Sequence, residues 1–176
     1  SIISAVSTTA GANQARAIDI AATGTLTKID NTGTLSSGVN GSLADARTIV
    51  DASGTLTAIT NTGIIQAVIT PSSTVAQTGV AVAVDASANT TGLSITQTQS
   101  AVKDAAAPTL KGAIIFGSGA DTLDLEAGTA TGTVLFGAGA DVLKIDGGAN
   151  LTGAIGDSGG DLAITVNKGT LQVLNA

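Results

Sequence analysis

The chain has no cysteine, histidine, tryptophan, tyrosine or methionine, and its only aromatic residues are Phe116 and Phe136. Without cysteine there is no disulfide framework and no zinc–thiolate site. Without histidine there is no ordinary neutral-pH base and no Ser–His–Asp arrangement. There is no tryptophan or tyrosine to stack on sugar rings, as the aromatic subsites of polysaccharide-cleaving β-helices do. Together these absences argue against an enzyme. Basic residues are also scarce: Arg16, Lys28, Arg47, Lys103, Lys111, Lys144 and Lys168 lie scattered through a chain of net charge −6. That pattern excludes a nucleic-acid interface and attraction to anionic lipid. No apolar run reaches the roughly 18 residues of a membrane-spanning helix. No charged segment leads into an apolar one as in a signal peptide, so the chain reads as processed or excised. The two prolines, Pro71 and Pro108, fall outside the repeats described next.

What is present repeats itself. GAIIFGSGADTLDLEAG (112–128) returns as GTVLFGAGADVLKIDGG (132–148), and ATGTLTKIDNTGTL (22–35) returns as ASGTLTAITNTGII (52–65). Internal periods of 20 to 50 residues mark solenoids. Small β-formers suit the thin interior of such a rod, and 23 glycines suit a chain that turns several times per coil. Alternation along the copies reads as strands. Ile29, Asn31, Gly33 and Leu35 share a face, as do Ile59, Asn61, Gly63 and Ile65. Leu123 with Leu125, Leu143 with Ile145, and Leu162 with Ile164 and Val166 point inward. Leu171 and Val173 resume that face. The fold class is therefore all-β, a parallel β-helix in which Phe116 and Phe136 stack. Asn31 and Asn61 stack likewise, with their amides bonded along the column.

The chain forms a single segment, 1–176. Residues 17–111 make longer, less regular coils, with insertions at 70–79 and 103–108. Residues 112–176 make regular coils of about 20 residues. A weaker echo of Ile18–Asp19, Val50–Asp51 and Val84–Asp85 places the three aspartates on one solvated edge. Open β-edges at both ends lead to the expectation that the natural chain continues past at least one of them.

The phrases IDNTGTL and ITNTGII, the run FGSGADTLDL and FGAGADVLKI, and the closing DLAITVNKGTLQVLNA resemble autotransporter passenger domains. The resemblance covers most of residues 18–176. It implies a right-handed parallel β-helix, a segment of a large surface protein of a Gram-negative bacterium, exported through a C-terminal outer-membrane β-barrel carried by the parent chain. The segment itself would not insert in the membrane. Its implied role is structural, extending from the cell, with adhesion to a host or cell-surface receptor, or self-association, as partner functions. The resemblance transfers no catalytic residue.

Three other features bear on ligands. GSGADTLDL and GAGADVLKI match a single unit of the calcium-binding nonapeptide pattern, which makes Asp121 and Asp141 candidate calcium ligands in a surface-layer-like module. Each unit stands alone at a spacing of 20, and Phe precedes it where the pattern has Gly. The competing reading is a tight Gly turn whose Asp side chains bond local N–H groups. Asp157 and Asp161 sit in a similar loop. Thr25 and Thr27 align with Thr55 and Thr57, a short threonine ladder better read as β-propensity than as an ice-binding face. Pairing of open coil ends between chains would make the protein a filament subunit.

Overall fold

A computed structural model describes residues 2–7, 14–41, 43–159 and 161–174, the first stretch as backbone alone. Among the described residues there are strands and turns and no helix. The strands form three parallel sheets of seven, six and six, each ordered so that every third strand is a neighbour. That order defines a parallel β-helix. One coil contributes a strand to each sheet in turn, and the next coil lies on top of it.

The first coil comprises β1 (Ile2–Ser7), β2 (Ala15–Ile20) and β3 (Lys28–Asn31). The second comprises β4 (Thr34–Asn40), β5 (Ala46–Asp51) and β6 (Ala58–Asn61), and the third β7 (Ile64–Thr70), β8 (Ala81–Asp85) and β9 (Ser94–Gln97). Then come three short coils. They are β10 (Thr109–Lys111), β11 (Ala113–Ile115) and β12 (Thr122–Leu125); β13 (Thr129–Thr131), β14 (Val134–Phe136) and β15 (Val142–Ile145); and β16 (Asn150–Gly153), β17 (Ile155–Asp157) and β18 (Ala163–Val166). A final strand, β19 (Thr170–Val173), closes the seven-stranded sheet.

The register shows both the regularity and its limits. Thr109 pairs with Thr129 and Thr122 with Val142, steps of 20 that match the repeat copies. Ile64 pairs with Thr109, a step of 45, because residues 71–80 and 98–108 leave the sheets between those strands. Sequence-distant rungs pair because the interior columns agree. Ile29, Ile59, Ile95, Leu123 and Leu143 lie in one column, and all five are buried. Leu125 and Ile145 continue a second inward column two residues on. Outward residues between them, such as Asp124 and Lys144, form a 3.6 Å ion pair on the surface.

The core is one continuous aliphatic cluster from Ile20 to Leu151, with a small satellite of Ala15, Val39, Ala44, Ala46 and Ala67 where the longer early strands diverge. In that corner Ser37 and Thr48 hydroxyls lie 2.9 Å apart, and Thr48 Oγ1 donates to the Gln66 carbonyl at 2.6 Å, so the buried polar groups are satisfied. Inward residues of β18 are not covered: Ile164 is 47% and Val166 41% exposed, although their register partners Leu143 and Ile145 are fully buried.

Candidate functional site

The phenylalanines meet as their positions require. Their ring centroids are 5.1 Å apart and the planes are inclined by 11°, with both rings buried. One offset of 20 brings them together, because Phe136 follows β14 residues that pair with β11 in strict register. At the turn that follows, Gly137 is obligatory: a Cβ there would sit 1.4 Å from the Gly117 carbonyl oxygen. The glycines of the G-x-G-A-D unit thus let successive turns approach closely, which is a packing role.

The amide column is longer than the repeats suggest. Asn31 Nδ2 donates to Asn61 Oδ1 at 2.8 Å, and Asn61 Nδ2 donates to Gln97 Oε1 at 3.0 Å. Gln97 ends the run by donating to the carbonyls of Ala127 and Thr129. The signal for Gln97 was in the sequence: Ser94-Ile95-Thr96-Gln97 repeats Ala58-Ile59-Thr60-Asn61 with one methylene more in the amide. The threonine alignment is also real in space, since Thr57 Oγ1 donates to the Thr27 carbonyl at 3.0 Å and Leu26 N–H donates to Thr55 Oγ1 at 3.0 Å.

The expected aspartate edge is corrected. Asp19 pairs with Val50 and Val50 with Asp85, whereas Asp51 pairs with Ile20. Asp51 therefore occupies the inward parity and is 2% exposed. Its carboxylate is not solvated. It accepts hydrogen bonds from Ser53 N–H, Ser53 Oγ, Gly54 N–H and Leu56 N–H at 2.6–3.1 Å, holding the corner after β5. Asp85 faces out and binds Arg47, which also holds Asp45 at 3.0 Å. Asp45 in turn accepts Val80 N–H at 3.0 Å, so this ion triad fastens the end of the 70–79 insertion to the rod.

Asp121 and Asp141 lie on adjacent rungs at the entry to β12 and β15, and each is only 1% exposed. Leu93 N–H donates to Asp121 Oδ1 at 2.6 Å, and Asp121 N–H donates to Asp141 Oδ1 at 2.8 Å. The second oxygen of each, Oδ2, is buried without a hydrogen-bond partner. Burial pushes the Asp121 carboxyl up to about 6. The Leu93 N–H opposes that rise, the neighbouring Asp141 charge adds to it, and the Gly117 N–H opposes it in turn. As a calcium shell the pair is thin. Calcium takes six to eight oxygens, and among the described residues no three acidic, histidine or cysteine side chains come together to hold a metal. Asp157 and Asp161 are exposed on the next coil, and Asp161 meets Asp141 through its backbone carbonyl, which accepts Asp141 N–H at 3.2 Å.

On the outer face, Asp124, Glu126, Lys144, Asp146 and Lys168 line a shallow groove of mixed charge. Asp146 there is held below the usual carboxylate range, chiefly by the Gly147 N–H that donates to it at 2.7 Å. No family model, curated protein or solved structure matches the chain.

Proposed function

We propose that the chain is a non-catalytic, structural segment of a bacterial cell-surface passenger domain, built to project from the cell. The observation that carries this reading is the unbroken stack itself, three parallel sheets in register around an aliphatic core. A rod of this kind gains length by adding coils, and each coil contacts only its neighbours, so stability accumulates along the axis. Its side chains suit that task. The buried amides form a column that ties coil to coil, and Asp124 and Lys144 pair across adjacent rungs on the outer face. The likeness of the I-x-N-T-G coils to autotransporter passengers supports an extracellular location on a Gram-negative cell.

Antibody labelling of intact cells that produce the parent protein tests this. Labelling without permeabilisation, abolished by protease added outside, is the expected result. Labelling that appears only after lysis would refute it.

A further inference from the structure

We propose that Asp121, whose N–H is held by the Asp141 carboxylate, is a proton-binding carboxyl inside the rod, part of a pH-sensitive staple across the third, fourth and fifth coils. This inference stands apart from the surface-passenger reading. The Oδ1 atoms make the staple, because Leu93 N–H binds Asp121 and Asp121 N–H binds Asp141. The Oδ2 atoms create the demand for a proton. Both are buried and neither has a partner in hydrogen-bond geometry among the described residues, although the nearby Gly117 N–H eases the burial of Asp121 in part. A carboxylate oxygen held dry without a donor is among the costliest groups to bury. Two of them on adjacent rungs add like-charge repulsion. A single proton on Asp121 neutralises one group and removes the repulsion.

The neighbouring amide column shows the alternative solution within the same molecule. Asn31, Asn61 and Gln97 bring their own N–H donors, and every link is made. An acid in the equivalent role must take its hydrogen from solvent. Among the described residues no cation pairs with either carboxylate. Leu93 contributes backbone from the third coil, and Asp141 is the only charge facing Asp121 from the fifth. Asp124 and Lys144, on the same strands, pair with each other on the outer face. Asp161, in the sixth coil, is exposed and reaches Asp141 through its carbonyl at 3.2 Å.

The sign follows from the direction of the shift. Asp121 is raised from 3.8 to about 6 in the folded chain. Stability from the proton is complete below the unfolded value and is lost as pH rises through about 6.

Thermal unfolding of the wild type, Asp121→Asn and Asp141→Asn between about pH 4.5 and about pH 7.5 tests the proposal. The wild-type melting temperature should fall across that range by roughly 4–8 °C more than that of Asp121→Asn. The Asn variant should be the more stable protein at the upper pH, since its amide supplies the missing donor. Asp141→Asn removes the like charge but leaves Asp121 buried, so its melting temperature should still fall with pH, by less than the wild type's, which keeps the test alive if one variant folds poorly. Parallel profiles for wild type and both variants would overturn the proposal. So would a rise in wild-type melting temperature on adding millimolar calcium chloride at pH 7.5 that Asp121→Asn abolishes, because the occupant would then be a metal ion.

Discussion

At the scale of single residues, the molecule depends on a few side chains that a neighbouring coil completes. Phe116 is the plainest case, since its ring is buried against Phe136. Phe116→Ala should cost about 3–5 kcal/mol, through lost burial and the cavity left beneath the second ring. Denaturant unfolding measures this, and a loss under about 1 kcal/mol would mean that the stack contributes little. Asn61 is more exacting than its size suggests. Its side chain accepts from Asn31 Nδ2 and Gly63 N–H and donates to Gln97 Oε1 and the Thr109 carbonyl. Asn61→Ala should therefore cost roughly 2–4 kcal/mol, because several buried partners lose their bonds at once. Gly137→Ala should prevent the fifth coil from seating, as no flexible group can move aside from a Cβ placed against the Gly117 carbonyl. Loss of protease resistance across residues 112–148 is the readout.

At the scale of strands and coils, position along the axis decides what an apolar residue contributes. Leu143 and Ile164 are register partners with the same inward parity, yet one is fully buried and the other 47% exposed. Leu143→Ala should cost about 2–5 kcal/mol and Ile164→Ala under about 1 kcal/mol, with both read by chemical denaturation. The 70–79 insertion behaves as a loop: Ser72–Gln77 are exposed, and the rod holds it at its end through Asp45 and Val80. Shortening it within residues 72–77 should leave the melting temperature within about 3 °C, as loop-closure entropy changes slowly with length. The same elements show what the sequence disclosed. The short coils were legible because two copies without insertions fix the offset, so Phe116, Leu123 and Leu125 fall directly beneath Phe136, Leu143 and Ile145. The early coils were only partly legible. Their steps vary, with Asp19 reaching Val50 after 31 residues and Val50 reaching Asp85 after 35, and a spacing judged from Asp to Asp put Asp51 on the wrong face. Burial of Asp121 and Asp141 was not readable from the G-x-G-x-D pattern, because that pattern describes the turn and not which side of the wall its aspartate enters.

At the scale of the whole molecule, seven rungs of one sheet spaced ~4.8 Å apart make a rod about 30 Å long. Its columns of like residues run along the axis: aliphatic in the interior, amide at one corner, paired carboxyls at another. Such an object serves by length and surface, and its cohesion is the sum of contacts between adjacent coils. Everything claimed for it rests on coil stacking in the stated register, and a chain without cysteine permits a clean test. The double variant Thr122→Cys, Val142→Cys joins facing residues of adjacent rungs, and Thr122→Cys, Ala163→Cys spans two rungs. A disulfide needs Cα atoms about 4.4–6.8 Å apart. Mild oxidation of the folded protein should close the first pair rapidly and leave the second open. Failure of the first pair to close, or equal closure of both, would contradict the stacked β-helix.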